Sequence, residues 1–167
     1  RCYKDHHGRP IRFLGAALDL TERKHTEQAL RQSQTELQLI INAMPILISY
    51  VDSEERFRLN NAAYLNWYGL TPQELYGRTI REVLGETAYA LRAKYIAEAL
   101  RGKPCCFSIS TPHGDGSTRQ ALMNYLPRHG ADGAVNGFYI FVIDETERKQ
   151  TEEALRNLNE TLEERVA

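Results

Sequence analysis

The sequence predicts an α+β domain in which helices cover one face of an antiparallel sheet. Two strand-like segments come first, several short helices follow, and three more strand-like segments end the domain. The strand-like segments are rich in aromatic and β-branched residues, and polar turns bound them. Strands and helices that are grouped in this way, rather than alternating one by one, are typical of α+β domains.

A repeated segment indicates where this domain ends. Residues 144–156 read D-E-T-E-R-K-Q-T-E-E-A-L-R, and residues 19–31 read D-L-T-E-R-K-H-T-E-Q-A-L-R. The two copies are separated by about the length of a small domain, so each copy should follow the last strand of one domain. We therefore predict, in order, the closing hairpin of a preceding domain (1–20), a linker helix (21–44), one complete domain (45–145) and a second linker helix (146–167).

Both linker helices carry an apolar seam. The first seam consists of Leu30, Gln34, Leu37, Ile41 and Met44, and the second consists of Leu155, Leu158 and Leu162. Their spacing is that of the a and d positions of a coiled coil, and Pro45 should end the first helix. Two interpretations stay open, a parallel dimer through these seams or a helix that packs on its own domain.

The first half of the domain is predicted from its turns and caps. A strand at 46–52 and a strand at 57–59 should form a hairpin around the polar turn 53–55. Asn60 or Asn61 should then cap a short helix at 62–68. The next helix should start at Thr71-Pro72-Gln73-Glu74, with Pro72 at its first position. The sequence further predicts a helical turn or two at 79–84 and one long helix at 86–100, with an apolar stripe formed by Tyr89, Ala93, Ile96 and Leu100.

The second half of the domain is predicted to be β-structure. Strands are expected at 105–111, 118–126 and 137–143, with Pro127 ending the middle one. The last strand leads directly into Asp144, where D-x-T-E has the form of a capping box. Asp144 should accept a hydrogen bond from the first turn of the helix, and Glu147 should reach back. The sequence thus predicts a joint between a core strand and an exposed helix.

Composition excludes several functional classes. The net charge is −1 and the isoelectric point is about 6.6, so no basic surface for nucleic acid is expected. Apolar runs are far shorter than a membrane span, which favours a cytoplasmic domain, within either a free or a membrane-anchored protein. The odd cysteine count of three fits reduced thiols. No metal-binding, phosphate-binding or nucleophile motif is present, so this segment is not expected to be an enzyme.

The residues also resemble a known family. The matching pieces are P-I-L-I-S-Y-V-D at 45–52, N-A-A-Y-L-N-W-Y-G-L-T-P-Q-E-L-Y-G-R at 61–78 and G-F-Y-I-F-V-I-D-E-T-E-R-K at 137–149. In order and spacing they are similar to PAS sensor domains with a C-terminal PAC motif, which occur in bacterial signalling proteins. The resemblance implies a five-stranded sheet in the order 2-1-5-4-3.

The resemblance further implies a signalling joint. Asp144 and Thr146 would occupy the D-x-T position of the family, and Asp19 and Thr21 would hold the equivalent place after the preceding copy. Glu145 stands where the family usually has an apolar residue. The implied function is a sensory relay and dimerisation module that leads to an output domain, either a histidine kinase of a two-component system or a diguanylate cyclase. The alternative is a structural spacer and dimeriser that binds no ligand.

No cofactor is predicted. Haem-binding members need a histidine on the long helix, and 86–100 contains none; the histidines, His6, His7, His25, His113 and His129, fall in expected turns or linkers. Light-sensing flavin members need a cysteine just after the G-R pair, and 77–82 contains none. Cys105 and Cys106 lie on a strand, so one of the two should point inward as a small hydrophobe.

A cavity between sheet and helices is the remaining candidate site, open to an unknown small molecule. Such sites are lined by apolar and aromatic side chains with a few polar groups. The candidate lining residues are Ser49, Tyr64, Trp67, Ile96, Phe107, Met123, Tyr125, Tyr139 and Phe141. The competing interpretation is that these side chains simply fill the core.

Overall fold

Helices flank and interrupt a series of strands. The structure, a computed structural model, describes residues 7–8, 13–113 and 115–166, except for the side chains of 13–21, 112 and 162–166. The elements are α1 Phe13–Ala43, β1 Leu47–Asp52, β2 Phe57–Asn60, α2 Ala63–Tyr68, α3 Pro72–Leu75, α4 Ile80–Ala90, α5 Ala93–Leu100, β3 Cys105–Pro112, β4 Thr118–His129, β5 Val135–Asp144 and α6 Thr146–Val166. One structural unit ends at Ile41 and the second begins at Asn42, so the second unit contains the whole sheet.

The strands form one antiparallel sheet. Its order is β2-β1-β5-β4-β3, which confirms the predicted α+β class and the predicted strand order. β5 lies in the centre, between β1 and β4, and Ile140 faces Ser49 on one side and Tyr125 on the other. The last strand of the domain is therefore its central strand.

Alternation along β5 decides which side chains enter the core. Phe138, Ile140 and Val142 are buried on the face that the helices cover, whereas Tyr139 and Phe141 are only half-buried. Successive strand residues point to opposite faces, so Tyr139 and Phe141 lie on the other face of the sheet. Tyr139 packs there on Tyr50, with ring centroids 5.4 Å apart.

Two capping boxes hold the short helices. Thr71 accepts a hydrogen bond from the backbone of Glu74, and the carboxylate of Glu74 accepts one from the backbone of Thr71. Thr79 and Glu82 make the same reciprocal pair at the start of α4. The helix start predicted at Thr71 is confirmed, because side chains here satisfy N–H groups that no helical turn can reach.

The cap predicted for α2 is wrong. Ala62 precedes the helix in a helical conformation, and no side chain caps it. Asn61 instead accepts a hydrogen bond from the backbone of Ile48 and donates one to the carbonyl of Ile46. The amide is fully buried beside β1, where it pairs backbone groups that would otherwise be left without partners.

The long helix predicted at 86–100 is broken in the structure. α4 ends at Ala90 and α5 begins at Ala93, while Gly85 interrupts α4 with φ at +77°. The break lets Arg92 turn its side chain into the core, where it is 2% exposed. Local helix propensity favoured continuity, and the tertiary packing of one polar side chain overrode it.

Two other boundaries differ from the prediction. α1 begins at Phe13, so the part of the predicted 1–20 hairpin that the structure describes beyond residue 12 is helical. A helix satisfies its backbone hydrogen bonds within itself, whereas a hairpin strand needs a neighbouring sheet. β4 also continues through Pro127 to His129. Its pairing with β3 ends at Tyr125, so a residue without an N–H is tolerated on that open edge.

Candidate functional site

A small cavity lies between the sheet and the helices. Its volume is about 20 Å³, and its lining residues are Leu47, Phe57, Tyr64, Tyr68, Ile80, Leu84, Arg92, Met123, Tyr125, Ile140 and Val142. A cavity of this size has room for roughly one water molecule. As it stands, the core has no space for a larger molecule.

The predicted lining residues divide into three groups. Tyr64, Met123 and Tyr125 line the cavity, and Ser49 is bonded to one of them. Trp67, Ile96 and Phe107 are buried in the core away from the cavity lining. Tyr139 and Phe141 were placed on the wrong face; their neighbours Ile140 and Val142 line the cavity instead. Tyr139 and Phe141 were chosen because they are aromatic. Because side chains alternate along a strand, their neighbours Ile140 and Val142 face the cavity.

A buried hydroxyl pair closes one end of the cavity. Ser49 Oγ and Tyr64 Oη are 2.7 Å apart, and both residues are buried. Burial, the largest influence, raises the pKa of Tyr64 well above its ordinary value, although the Ser49 hydrogen bond acts against it. Tyr64 is therefore a neutral hydroxyl whose bonding partner is the serine of β1.

The Ser49–Tyr64 pair should be detectable in a double-mutant cycle. We expect Tyr64→Phe and Ser49→Ala each to lower the free energy of unfolding by about 1–2 kcal/mol, because each leaves the other hydroxyl buried without its partner. The double variant should lose about 1 kcal/mol less than the sum. Urea denaturation measures the free energy of unfolding of all three variants. Tyr76→Phe is the matched control, because Tyr76 is 62% exposed. Additive losses would contradict the pairing.

Arg92 is a cavity residue that the sequence reading missed. Its guanidinium donates to the carbonyl of Ala88 and, from Nη2, to Thr111 Oγ1 at 3.0 Å. A signal for it existed, because Arg92 stands four residues before Ile96 and so falls on the apolar stripe of the predicted helix. Charged residues are seldom buried without a partner. The sequence did not reveal the partner of Arg92, because Thr111 lies on a distant strand.

Side chains at the end of β5 and at the start of α6 form hydrogen bonds at the joint between these two elements. Asp144 Oδ1 accepts a hydrogen bond from the backbone N–H of Thr146 at 2.9 Å, as the predicted cap requires. Thr146 Oγ1 accepts one from the backbone N–H of Gln120 at 2.9 Å, and the backbone of Glu145 donates to the carbonyl of Gln120 at 2.8 Å. The first turn of α6 is therefore bonded to β4 as well as to β5.

An ion pair adds a second connection at this joint. Arg119 of β4 contacts Asp144 Oδ2 at 2.8 Å and Asp115 Oδ2 at 3.2 Å. Partial burial, the largest influence, acts to raise the pKa of Asp144, but hydrogen bonds from Thr146 and Arg119 together hold it below the ordinary value. Because the folded pKa is depressed, this stabilisation is present near neutral pH and is lost as the pH falls through that pKa.

The predicted junction residue Glu147 behaves differently from the expectation. It is exposed, and its carboxylate accepts no hydrogen bond from the described residues; Arg119 contacts the Asp144 carboxylate instead. The backbone of Asp19 and Thr21 lies inside α1, not at a junction between a strand and a helix as predicted. Their side chains lie outside the described residues. Glu145, where the family usually has an apolar residue, pairs with Arg148 at 2.8 Å on the first turns of α6. The polar side chain is thus accommodated by an ion pair on its own helix.

A groove runs beside the joint. Its volume is about 590 Å³, and it is lined by Pro45, Ile46, Asn66, Trp67, His113, Arg119, Ile143, Asp144, Thr146, Glu147 and Gln150. His113, predicted as a surface turn residue, packs against Trp67 with ring centroids 5.5 Å apart and contacts Asp115 at 3.1 Å. The groove therefore brings the segment that enters the domain close to the helix that leaves it.

Two positions at which a haem ligand or a flavin-reactive thiol would be expected carry neither residue type. Neither α4 nor α5 contains a histidine, and the segment 77–82 contains no cysteine. Of the two cysteines on β3, Cys105 points inward and Cys106 is exposed, as alternation predicts. Burial, followed by the nearby Glu98, raises the pKa of the Cys105 thiol, which makes it less reactive.

The described part of the chain holds neither a metal-binding cluster nor a membrane-spanning helix. No group of three or more His, Cys, Asp and Glu side chains there could hold a metal ion. Within the same residues, no helix combines the length and apolar character that crossing a bilayer requires.

The fold and the joint together define a class of protein: an α+β domain whose central strand continues directly into an exposed helix. The chain belongs to the PAS fold family, whose sequence model matches residues 41–150. That range contains the whole sheet, the cavity and the joint.

Sensor proteins are among the relatives of this chain. It is 29% identical over 148 residues to the virulence sensor protein BvgS of Bordetella pertussis. This alignment covers 86% of the chain and 12% of BvgS. It is 25% identical over 169 residues to the sensor protein FixL of Bradyrhizobium diazoefficiens. That alignment covers 95% of the chain and 32% of FixL. The chain thus spans less than a third of the length of either protein.

Solved structures show the same fold. The PAS domain of Bordetella pertussis BvgS is 25% identical, with a TM-score of 0.50, and the match covers 77% of this chain and 98% of that domain. An RNA-binding light-oxygen-voltage receptor is 18% identical, with a TM-score of 0.61 over 79% of this chain and 38% of the receptor. The second likeness concerns the fold alone.

Proposed function

We propose that this chain is a sensory relay module in which the state of the PAS core biases the outgoing helix α6. The observation that carries the proposal is the bonding of the joint. Asp144 and Thr146 link the end of β5 to the start of α6, while Arg119 and Gln120 link both to β4. A shift of either strand must therefore stretch or break a hydrogen bond at the first turn of α6.

The core and the joint share the same strand. Ile140 and Val142 line the cavity, and Val142 lies two residues before Asp144 on β5. Tightly packed strands do not deform gradually, so a change at the cavity wall is expected to appear at the cap. A coupling free energy of about 1–3 kcal/mol between cavity and helix would be enough to regulate an output.

We further propose that the linker helices dimerise. Leu155 and Leu158 of α6 are 58% and 56% exposed, and Leu30 and Leu37 of α1 are 58% and 57% exposed. An exposed apolar seam with a/d spacing is explained by a partner helix, and a second copy of this chain presents the same seam. Parallel dimerisation would place two α6 helices side by side at the start of an output domain.

The proposal includes an output domain within a larger signalling protein. The relatives are named as sensor proteins and are much longer than this chain, which supports a larger signalling protein. A cytoplasmic histidine kinase and a diguanylate cyclase both fit a helical linker of this kind. The net charge of −1 supports a protein partner rather than nucleic acid. The competing function is a spacer and dimeriser without a ligand, which the small cavity favours.

The joint is tested by Asp144→Ala, with Asp132→Ala as its matched control. Each aspartate accepts a hydrogen bond from the backbone N–H two residues on, but Asp132 lies in the β4–β5 loop. Asp144→Ala should cost about 1 kcal/mol, as loss of a helix cap does, and speed hydrogen exchange at the start of α6. In the full-length protein it should also change the ratio of stimulated to basal output, whereas Asp132→Ala should leave that ratio unchanged.

Arg119→Met separates relay from stability at this joint. It removes the ion pair with Asp144 and leaves the backbone cap in place, so we expect a smaller loss of stability and an intermediate change in output. If both joint variants keep the output ratio of the wild type while exchange at α6 rises, the helix is not the route of the signal. In that case the spacer function is the better description.

A further inference from the structure

Arg92 is a charged side chain enclosed by the core. The residue is 2% exposed and lies between α4 and α5, with its guanidinium directed at Thr111 on β3. Two acceptors contact it, the Ala88 carbonyl and the Thr111 hydroxyl, and both are uncharged. The guanidinium has more N–H groups than these two contacts use.

No carboxylate neutralises this charge within the described residues. None of their Asp or Glu oxygens lies within 4.0 Å of the Arg92 nitrogens. An isolated cation in a protein interior is costly, and buried charges are normally paired. Arginine keeps its proton in proteins, so it cannot escape the cost by becoming neutral. Its surroundings therefore favour an anion.

The cavity beside Arg92 has both polar and apolar walls. Tyr64, Tyr68 and Tyr125 line it together with Arg92, and burial, as the largest influence, raises the pKa of each of these tyrosines, which keeps their hydroxyls protonated. Apolar side chains, among them Leu47 and Val142, make up most of the remaining lining. One cation in a mainly apolar lining matches a small molecule with one anionic end and a short alkyl end.

A possible route for enlarging the cavity lies in α4. Leu84 lines the cavity and precedes Gly85, whose positive φ of +77° breaks the helix. The first half of α4 has its own capping box at Thr79 and Glu82, so it can keep its structure while it moves about Gly85. Outward movement of Leu84 would extend the cavity volume of about 20 Å³.

We propose that Arg92 anchors a short-chain monocarboxylate in the PAS core. The carboxylate pairs with the guanidinium, whose planar N–H groups suit two oxygens. The alkyl end lies against Leu84 and the other apolar side chains of the lining. This assignment rests on the proposed sensory function and supplies its signal, because Val142 shares the cavity and lies two residues from Asp144.

The test measures the melting temperature of the chain in sodium formate, acetate and propionate. Acetamide and propionamide serve as uncharged matches, and sodium chloride serves as the simple anion. At about tenfold above its dissociation constant, a bound carboxylate should raise the melting temperature of the wild type by roughly 3–5 °C. The amides and chloride should not do so.

Arg92→Met identifies the anchor. Methionine fills a similar volume without a charge, and such replacements of buried charges are often tolerated. We expect Arg92→Met to lose the carboxylate-dependent shift, while Arg101→Met, at an exposed arginine of the same region, keeps it. Leu84→Ala provides a second arm that does not depend on the folding of Arg92→Met. By enlarging the cavity, it should increase the shift with propionate relative to formate.

Several outcomes would overturn the assignment. The first is an equal shift of the melting temperature in wild type and Arg92→Met. The second is an equal shift with acetate and acetamide, or a shift with chloride alone. The third is no shift in either the wild type or Leu84→Ala. Failure here is distinguishable from failure of the relay. If Asp144→Ala still changes the output of the full-length protein, the joint transmits a signal that originates elsewhere.

Discussion

Replacing Gly137 by alanine should destabilise the domain more than any other single change proposed for this chain. Gly137 has φ at +143°, and a Cβ at this position would meet the backbone carbonyl oxygen of Val51 at 2.1 Å. The opposing atom belongs to the backbone of β1 and cannot rotate away as a side chain can. We expect a loss of about 3–5 kcal/mol in the free energy of unfolding.

The position explains the size of the effect. Gly137 faces Asp52 of β1 and Arg128 of β4, at the point where a bulge shifts the register between Arg128 and His129. The central strand here fits between two neighbours with no room for a side chain on the β1 side. Forcing one in must separate β1 from β5, and these two strands carry much of the buried core.

Gly133→Ala is the control for Gly137→Ala. Gly133 also has a positive φ, +79°, but no atom lies within 4 Å of the position that a Cβ would take. Its replacement should cost only the backbone strain, about 1–2 kcal/mol. Urea denaturation with a common m-value compares the two. Similar losses would show that conformation alone, and not the close approach of β1, determines the cost.

Leu158→Lys should weaken self-association of the chain by at least about 30-fold, or roughly 2 kcal/mol. Leu158 is 56% exposed on α6, in the same seam as Leu155. In a parallel pair of helices the two copies of this leucine would face each other, and two lysines there would bury like charges. Sedimentation equilibrium over a range of concentrations measures the change.

Asn157→Lys is the control for Leu158→Lys, because it adds the same charge on the neighbouring residue but off the seam. It should leave the association constant within about twofold of the wild type, since exposed single charges have small effects. A wild-type chain that stays monomeric at all concentrations would contradict dimerisation through this helix. Equal effects of both lysines would indicate a charge effect rather than a seam.

Sequence reasoning was most successful where a local pattern defines an element. The strand 46–52 and the helix start at Thr71 depend on neighbouring residues, and both match the structure within a residue. Asp144 was recognised as a cap for the same reason, because its acceptor and the N–H of Thr146 are two residues apart. Such features can be read along the chain without knowing what packs on them.

It was least successful where distant segments meet. The break at Arg92 runs against helix propensity and follows from a contact with Thr111, nineteen residues away. Tyr139 and Phe141 were chosen for their aromatic rings, but the register of β5 between β1 and β4 turned them from the core. The partner of Glu145 was also found only in the structure, as Arg148.

The sequence by itself determined the fold class, the order of the strands in the sheet, the cap at Asp144 and the a/d spacing of apolar residues on the linker helices. The strand order follows from the family resemblance, and the others follow from periodicity and capping, which are properties of consecutive residues. The tertiary structure alone decided which side chains surround the cavity, how little space it leaves, and that Arg119 and Gln120 bind the start of α6. The reason is physical: burial and cross-strand pairing depend on the register of strands far apart in the chain, and a shift of one residue exchanges the two faces of a strand.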